Sequence, residues 1–200
     1  MELYYFFVLE VIFIKKLLIV GAGGHGRCCL DIAKSLSCYD EIAFLDDQMV
    51  HDCINGSKVI GKIDEMCSYY LEYEDIFIAI GNNEMRKKWC MQAEMIGYRI
   101  VTLISPKADV SPYAAVGKGT IVFPFAQIEA NAWIGEGNII SAHTVIHHDA
   151  KVEAYGLLYA NVIVRPAALI QEKCRIESHC VIQAGTRIPS NQHIPAGTII

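Results

Sequence analysis

Two short stretches of this chain gather side chains that can do chemistry. In Val145-Ile146-His147-His148-Asp149-Ala150, two adjacent imidazoles are followed by a carboxylate. An imidazole titrates near neutrality, so it can take and return a proton, and a neighbouring carboxylate can hold it in one tautomer. In Gly21-Ala22-Gly23-Gly24-His25-Gly26, glycines lie between an apolar run, Lys16–Val20, and a helical stretch from Arg27 to about Leu36. Glycines in that setting let the backbone approach a diphosphate at a helix N-terminus. Asp46 and Asp47 lie twenty residues past Gly26, at the end of a second apolar run, Ile42–Leu45. Carboxylates there can accept hydrogen bonds from a ribose or base. A third run, Asp75–Ile80, ends in Gly81-Asn82-Asn83.

The element that must position the two imidazoles is a repeat. From Val110 through Val116, Val122 and Ile128 to Ile200, every sixth residue is aliphatic without exception. A helix, with period 3.6, does not keep this register, and an ordinary strand, with period 2 and turns at irregular spacing, does not keep it over so long a stretch. Each hexad reads as a short strand and a corner, with its aliphatic residue pointing inward. Three hexads complete one triangular coil, so residues eighteen apart stack about 4.8 Å apart. Ile128, Ile146, Val164 and Ile182 then form one interior column. His148 falls two positions past Ile146, toward a corner, stacked between Ala130 and Pro166. Four positions past the aliphatic the residue is mostly small, as at Ala126, Ala132, Ala150 and Ala168, which a tight prism can hold.

The glycine loop belongs to an α/β unit. Beyond the runs above, the pattern predicts a helix from about Glu84 to Ile96, a strand over Arg99–Ile104 and a hairpin arm at Gly56–Ile60. About four strands fit between Lys15 and Ser105, one mononucleotide-binding half and not the two of a dinucleotide fold, so the loop points to a nucleotide other than NAD. The reading is an apolar extension at 1–14, a Rossmann-like domain at 15–105 and a parallel β-helix at 106–200.

The chain has 200 residues and a net charge of −5 with no basic tract, which argues against nucleic acid as a partner. Its eight cysteines form no CxxC pair and no metal-binding spacing, the usage of a reduced, cytoplasmic protein. Leu3–Ile14 is strongly apolar but too short to span a bilayer, and it lacks the basic start and small-residue cleavage site of a signal peptide. It reads as an added strand or as a stretch upstream of the folded domain.

Gly-Ala-Gly-Gly-His-Gly, Phe-Leu-Asp-Asp and Ile-Gly-Asn-Asn-x-x-Arg, joined to hexapeptide repeats, resemble the bacterial nucleotide-sugar acetyltransferases of surface-glycan biosynthesis, of the bacillosamine N-acetyltransferase and sialic acid O-acetyltransferase type. The likeness runs from Lys15 to Ile200. It implies a left-handed β-helix, homotrimers, acetyl-CoA as acyl donor and a UDP-sugar acceptor carrying an amine or hydroxyl. It also implies that His148 is the general base, that Asp149 orients it, and that Gly21, Gly23, Gly24, His25, Gly26, Asp46, Asp47, Gly81 and Asn82 bind the sugar nucleotide. No resident metal is expected.

Two other readings stay open. Where the family carries a second histidine nine residues after the base, this chain has Leu157. The family's Gly-Asn-Val is Pro166-Ala167-Ala168, and glycines that follow the inward aliphatic are replaced by Glu153, Gln171 and Glu177. The family's C-terminal segment beyond the repeats also has no counterpart after Ile200. These departures suit a trimeric scaffold that binds sugar nucleotides without turnover. A γ-type carbonic anhydrase would use His143 and His148 as zinc ligands, but the upstream coils offer no third histidine.

Overall fold

The computed structural model describes residues 14–200. The reading of the apolar extension as an added strand lies, apart from Ile14, outside the described residues.

The N-terminal unit is a sheet with helices against it. Its strands β1 (Lys16–Val20), β2 (Glu41–Leu45), β3 (Cys53–Ile54), β4 (Ser57–Gly61), β5 (Asp75–Ile78) and β6 (Arg99–Ile100) lie in the order β3-β4-β2-β1-β5-β6. All neighbours are parallel except β3 and β4. Four strands were expected and six are present. The β3–β4 hairpin turns at Asn55 and Gly56, both at positive φ (48° and 84°), and β4 then adds to β2 as a parallel strand. Asn-Gly suits such a turn because both central residues need the left-handed region. Residues 17–20 of β1 are wholly buried, as a central parallel strand covered on both faces requires.

Helix α1 (Gly24–Ser35) begins three residues before the expected start, with Gly23 as N-cap. No side chain caps it and no acidic residue enters its first turn, so its first amides are left for another acceptor. Helix α2 (Asn83–Ile96) is capped by Asn82, whose side chain accepts the Met85 amide at 2.9 Å, and it ends at Gly97 in the left-handed region (φ 109°).

The expected strand Arg99–Ile104 is two strands. Arg99–Ile100 pairs with β5, whereas Leu103–Ile104 pairs with Ile121–Val122 of the prism. The chain crosses between units at Val101 and Thr102, and Ile104 extends the six-residue series one step before Val110.

The repeats form a left-handed parallel β-helix of two-residue strands in three sheets. Partners are eighteen residues apart, as in Ile128↔Ile146, Ile146↔Val164 and Val164↔Ile182. The inward aliphatics and the small residues four positions on build one core, which includes Ala126, Ala150, Ala168, Cys174 and Cys180. Both buried thiols donate to proline carbonyls one turn away, Cys174 to Pro189 and Cys180 to Pro195, each at 3.0 Å.

From Gly119 onward, each corner has a residue at positive φ, three positions past the aliphatic. Gly119, Gly137, Gly185 and Gly197 fill some corners, but Phe125, Asn131, His143, Asp149, Tyr155, Asn161, Ala167, Lys173, His179 and Asn191 fill the rest at φ near +60°. A non-glycine residue there costs about 1 kcal/mol, and burying one aliphatic side chain per hexad returns about 2. The interior therefore outweighs the corners, and the corner residue is free to be chosen for other reasons.

One outward wall docks the N-terminal unit. Leu103, Ile121, Ile139 and Leu157 share a buried cluster with Leu17, Ile19, Leu30, Ala33 and Phe44. One coil further the same wall carries exposed Arg175, then exposed His193. The switch from apolar to polar marks where the docked unit ends. No helix of the described residues is long and apolar enough to cross a membrane.

Candidate active site

The corner after Ile146 is a β-turn closed by the Ala150 amide on the His147 carbonyl (3.3 Å), with His148 and Asp149 as its central residues and Asp149 at φ 60°. This geometry turns both side chains outward and together. His148 Nδ1 lies 2.7 Å from Asp149 Oδ2, and both side chains are more than half exposed (55% and 56%). An ionised carboxylate can only accept, so Nδ1 carries the hydrogen and the Nε2 lone pair faces outward. That is the arrangement a general base needs.

His147 is held separately. Its Nδ1 lies 3.1 Å from Glu129 Oε2, and the same oxygen accepts the His148 main-chain amide at 2.9 Å. Sequence reasoning missed Glu129, although the eighteen-residue stacking rule places it directly beneath His147. Burial alone would raise the Glu129 carboxyl, but the His148 amide and the His147 ring outweigh it and hold it below the usual carboxylate range. The His143 ring stacks on Phe125 with centroids 5.1 Å apart. Among the described residues, no group of three side chains is arranged to hold a metal ion.

In the glycine loop, two kinds of glycine separate. Gly21 is at φ 98°, and a Cβ there would lie 2.9 Å from the Ala79 carbonyl oxygen; a Cβ on Gly26 would collide with the Gly21 carbonyl. These two are required by the fold. A Cβ on Gly23, Gly24 or Gly81 would meet no atom closer than 4.0 Å, so packing does not require glycine there and the backbone is open to close approach. The Gly23→Ala variant is thus expected to keep the wild-type melting temperature while sugar-nucleotide affinity falls by ~10-fold or more. Gly26→Ala should fail to fold stably. Thermal melts with calorimetry on the first variant check this; unchanged affinity for Gly23→Ala would contradict a phosphate role.

The acidic pair shapes the loop. Asp46 accepts the Ala22 amide through Oδ2 (2.8 Å) and the Gln48 amide through Oδ1 (2.9 Å), while Asp47 Oδ1 accepts the Ile63 amide at 3.0 Å. Asp46 therefore acts first as a brace for the glycine loop. Asn82 is likewise engaged through its carbonyl as the α2 cap, which leaves its amide nitrogen to donate.

His25 lies between the units, stacked near Phe123 of the prism (6.0 Å, 22°), with Nε2 3.7 Å from Cys29 Sγ. Burial, and after it the Arg86 guanidinium, lowers its pKa from 6.5 to about 4. The fold thus favours neutral His25. Its contribution to stability is intact above pH 6.5 and is lost as pH falls from 6.5 toward about 4, on the order of 2 kcal/mol for a partly exposed ring. Melting temperature followed over that range should drop in the wild type and drop less in His25→Gln; identical slopes would contradict the assignment.

Beside this loop, the Asn-x-x-Arg part of the third motif is an interdomain staple. Arg86 is 1% exposed. Its Nε donates to the Gly137 carbonyl (2.6 Å), Nη1 to those of Ile80 and Gly81 (2.9 and 3.0 Å), and Nη2 to Asn83 Oδ1, Tyr155 O and Gly156 O (2.9, 3.0 and 3.0 Å). Asn83 Nδ2 adds bonds to the carbonyls of Lys173 and Cys174 (3.0 and 3.3 Å). The Gly81–Asn82 end of the N-terminal unit is thereby fixed against the prism. A 250 Å³ groove opens there, lined by Asn82, Glu84, Leu157, Lys173 and Arg175.

The replaced glycines lie where the resemblance leads one to expect an acyl-donor groove. Glu153 bends back, its Oε2 accepting the Glu172 amide at 3.2 Å, and Glu177 is drawn to Arg175 Nε (2.8 Å) and His193 Nε2 (3.2 Å). Leu157, at the position of the family's second histidine, is the last apolar residue of the docking wall. The wall entered from the His148 corner keeps a 430 Å³ hollow between Gly117, Lys118, Trp133 and Gly135. Both replacing carboxylates are thus turned onto partners within the prism.

Comparison with known proteins agrees with this construction. The family model of the PglD N-terminal domain matches residues 16–93. A UDP-N-acetylbacillosamine N-acetyltransferase of Bacillus subtilis is 31% identical over 112 residues, 54% of this chain and 51% of that protein, so the match spans about half the length of the curated relative. The acetyltransferase domain of PglB from Neisseria gonorrhoeae superposes with TM-score 0.75 at 28% identity, covering 92% of this chain and 95% of that one; its complex with acetyl coenzyme A gives 0.66 at 30% identity and the same coverage. PerB from Caulobacter crescentus, in complex with CoA and GDP-perosamine, gives 0.67 at 25% identity, covering 92% and 93%. With a PglD-type N-terminal unit stapled to a β-helix that carries an outward histidine–carboxylate pair, this chain belongs to the bacterial nucleotide-sugar acetyltransferase family.

Proposed function

We propose that this chain moves the acetyl group of acetyl-CoA to an amino group of a nucleotide-activated sugar, with His148 as general base. The observation that carries the reading is the exposed His148–Asp149 pair, with Nδ1 tied to the carboxylate and Nε2 without a hydrogen-bond partner among the described residues. An amine acceptor is favoured over a hydroxyl because the curated relative is named as an N-acetyltransferase. The nucleotide is taken to be UDP, as in that relative's name, with GDP as the alternative represented by PerB.

The thioester supplies an activated acyl carbon. As the sugar amine forms its bond to that carbon, His148 Nε2 removes the proton from the attacking nitrogen, and the imidazolium returns it to the departing thiolate, giving an amide and a free thiol. Asp149 stabilises the transient imidazolium and keeps the ring from flipping. Main-chain N–H groups of the prism are suited to receive the developing oxyanion. The first amides of α1, Gly23 and Gly24 would face the diphosphate, Asp47 the ribose or base, and Gly81 and the Asn82 amide the sugar. The domains in this account are the nucleotide unit at 15–105 and the β-helix acyltransferase unit at 106–200. The working form is a cytoplasmic homotrimer in surface-glycan biosynthesis, each prism completing a cleft on its neighbour.

Calorimetry with acetyl-CoA separates this from a scaffold that binds sugar nucleotides alone. Saturable binding is expected; no heat at millimolar acetyl-CoA would favour the scaffold.

A further inference from the structure

We infer that Glu129 is a positioning residue for the catalytic corner and that it couples a second imidazole, His147, to the base. The inference rests on the acetyltransferase reading above and extends it to a residue on another coil.

The structural role has an internal comparison. Glu153 stands at the same place in its hexad as Glu129, and its carboxylate accepts the amide of Glu172, nineteen residues on, at 3.2 Å. Glu129 does the same for His148, also nineteen residues on, at 2.9 Å. A carboxylate capping the corner amide of the coil above is thus a recurrent device of this prism, and the bond to His148 by itself implies nothing catalytic. What Glu129 has in addition is His147 Nδ1 at 3.1 Å from the same oxygen. One carboxylate oxygen therefore holds both the main chain of the base and the ring of its neighbour.

The consequences follow from hydrogen-bond chemistry. Because the carboxylate only accepts, His147 Nδ1 carries a hydrogen and its Nε2 is left without one when the ring is neutral. The two imidazoles thus present the same tautomer from adjacent residues, each fixed by its own carboxylate. Along this edge the groups that titrate or carry charge are Glu129, then His147 one coil above it and Arg165 one coil above that, with Asp149 at the corner; Ser111 lies one coil below Glu129. Glu129 is the carboxylate that balances this column beneath the base. Removing its charge should ease loss of a proton from the corner and move the acid limb of the rate profile to lower pH.

Two substitutions separate positioning from packing. Glu129→Gln keeps an oxygen for the His148 amide and removes the charge; Glu129→Ala removes both. Positioning with coupling predicts that Glu129→Gln retains the wild-type melting temperature and a sugar-nucleotide KM within about 2-fold. Its kcat should fall ~10-fold, with the acid limb of kcat/KM moving down by about half a pH unit. Glu129→Ala should lose more in kcat. If Glu129→Gln matches the wild type in kcat and in pH profile, the residue only caps a turn and the inference is overturned.

Imidazole nitrogen NMR gives a readout that needs no turnover. Neutral His147 should show the Nδ1–H tautomer in the wild type and a tautomer mixture in Glu129→Gln, while His148 keeps its tautomer in both. A wild-type His147 without that preference sinks this inference alone; an inactive wild type with the tautomer present sinks the acetyltransferase reading instead.

Discussion

Replacing His148 by alanine is expected to lower kcat by ~10²-fold or more while sugar-nucleotide affinity stays near the wild-type value. The side chain is more than half exposed and, among the described residues, its ring hydrogen-bonds to Asp149 alone, so its loss leaves no cavity and opens no buried bond. The main-chain bond from residue 148 to Glu129 survives the substitution. Stability should therefore be unchanged, and the loss should fall on the chemical step. Asp149→Asn is the companion variant. An amide at 149 can offer a donor to Nδ1, which favours the wrong tautomer, and turnover should fall although the histidine remains. Steady-state kinetics with calorimetry on both variants decides the matter. Unchanged turnover in His148→Ala would remove the base from this corner, and His147 would be the next residue to test.

The second large effect is on the joint between units. Arg86→Met is expected to destabilise the protein by about 4 kcal/mol, near 10 °C in melting temperature for a chain of this size. The guanidinium is buried without a carboxylate partner among the described residues, and burial lowers its pKa to about 10, so it stays charged at neutral pH. What holds the charge there is the ring of carbonyls from Ile80, Gly81, Gly137, Tyr155 and Gly156. Methionine would fill much of the space and leave those carbonyls unpaired in the joint. Arg86→Lys keeps the charge but loses the planar fork, so it should lie between the two. A melting temperature for Arg86→Met within 2 °C of the wild type would show that the docking wall alone fixes the units.

How much of this was legible follows from which forces act locally. The prism was readable because its period is set by a backbone that closes after three hexads, and each aliphatic reports its own burial. The Rossmann-like unit was readable at β1, β2, β5 and both helices, where apolar runs and glycine or asparagine boundaries coincide. The β3–β4 pair was underread because its strands are short and partly exposed. The break at Val101–Thr102 was missed because the apolar run continues through the crossover. At the candidate site, the pairing of His148 with Asp149 is legible because the two are adjacent in sequence. Glu129 and Arg86 escaped because their partners lie one coil away or in the other unit. The stacking rule could have paired Glu129 with His147; nothing local says that Arg86 faces carbonyls of the prism.

Thiol release from acetyl-CoA, measured on the full chain against a panel of UDP-amino sugars and GDP-perosamine, tests the central claim most directly. Stoichiometric thiol and acetylated sugar nucleotide are expected with at least one amino sugar, at a rate lower by ~10²-fold or more with His148→Ala. Saturable sugar-nucleotide binding with no thiol release from any member of the panel would contradict it.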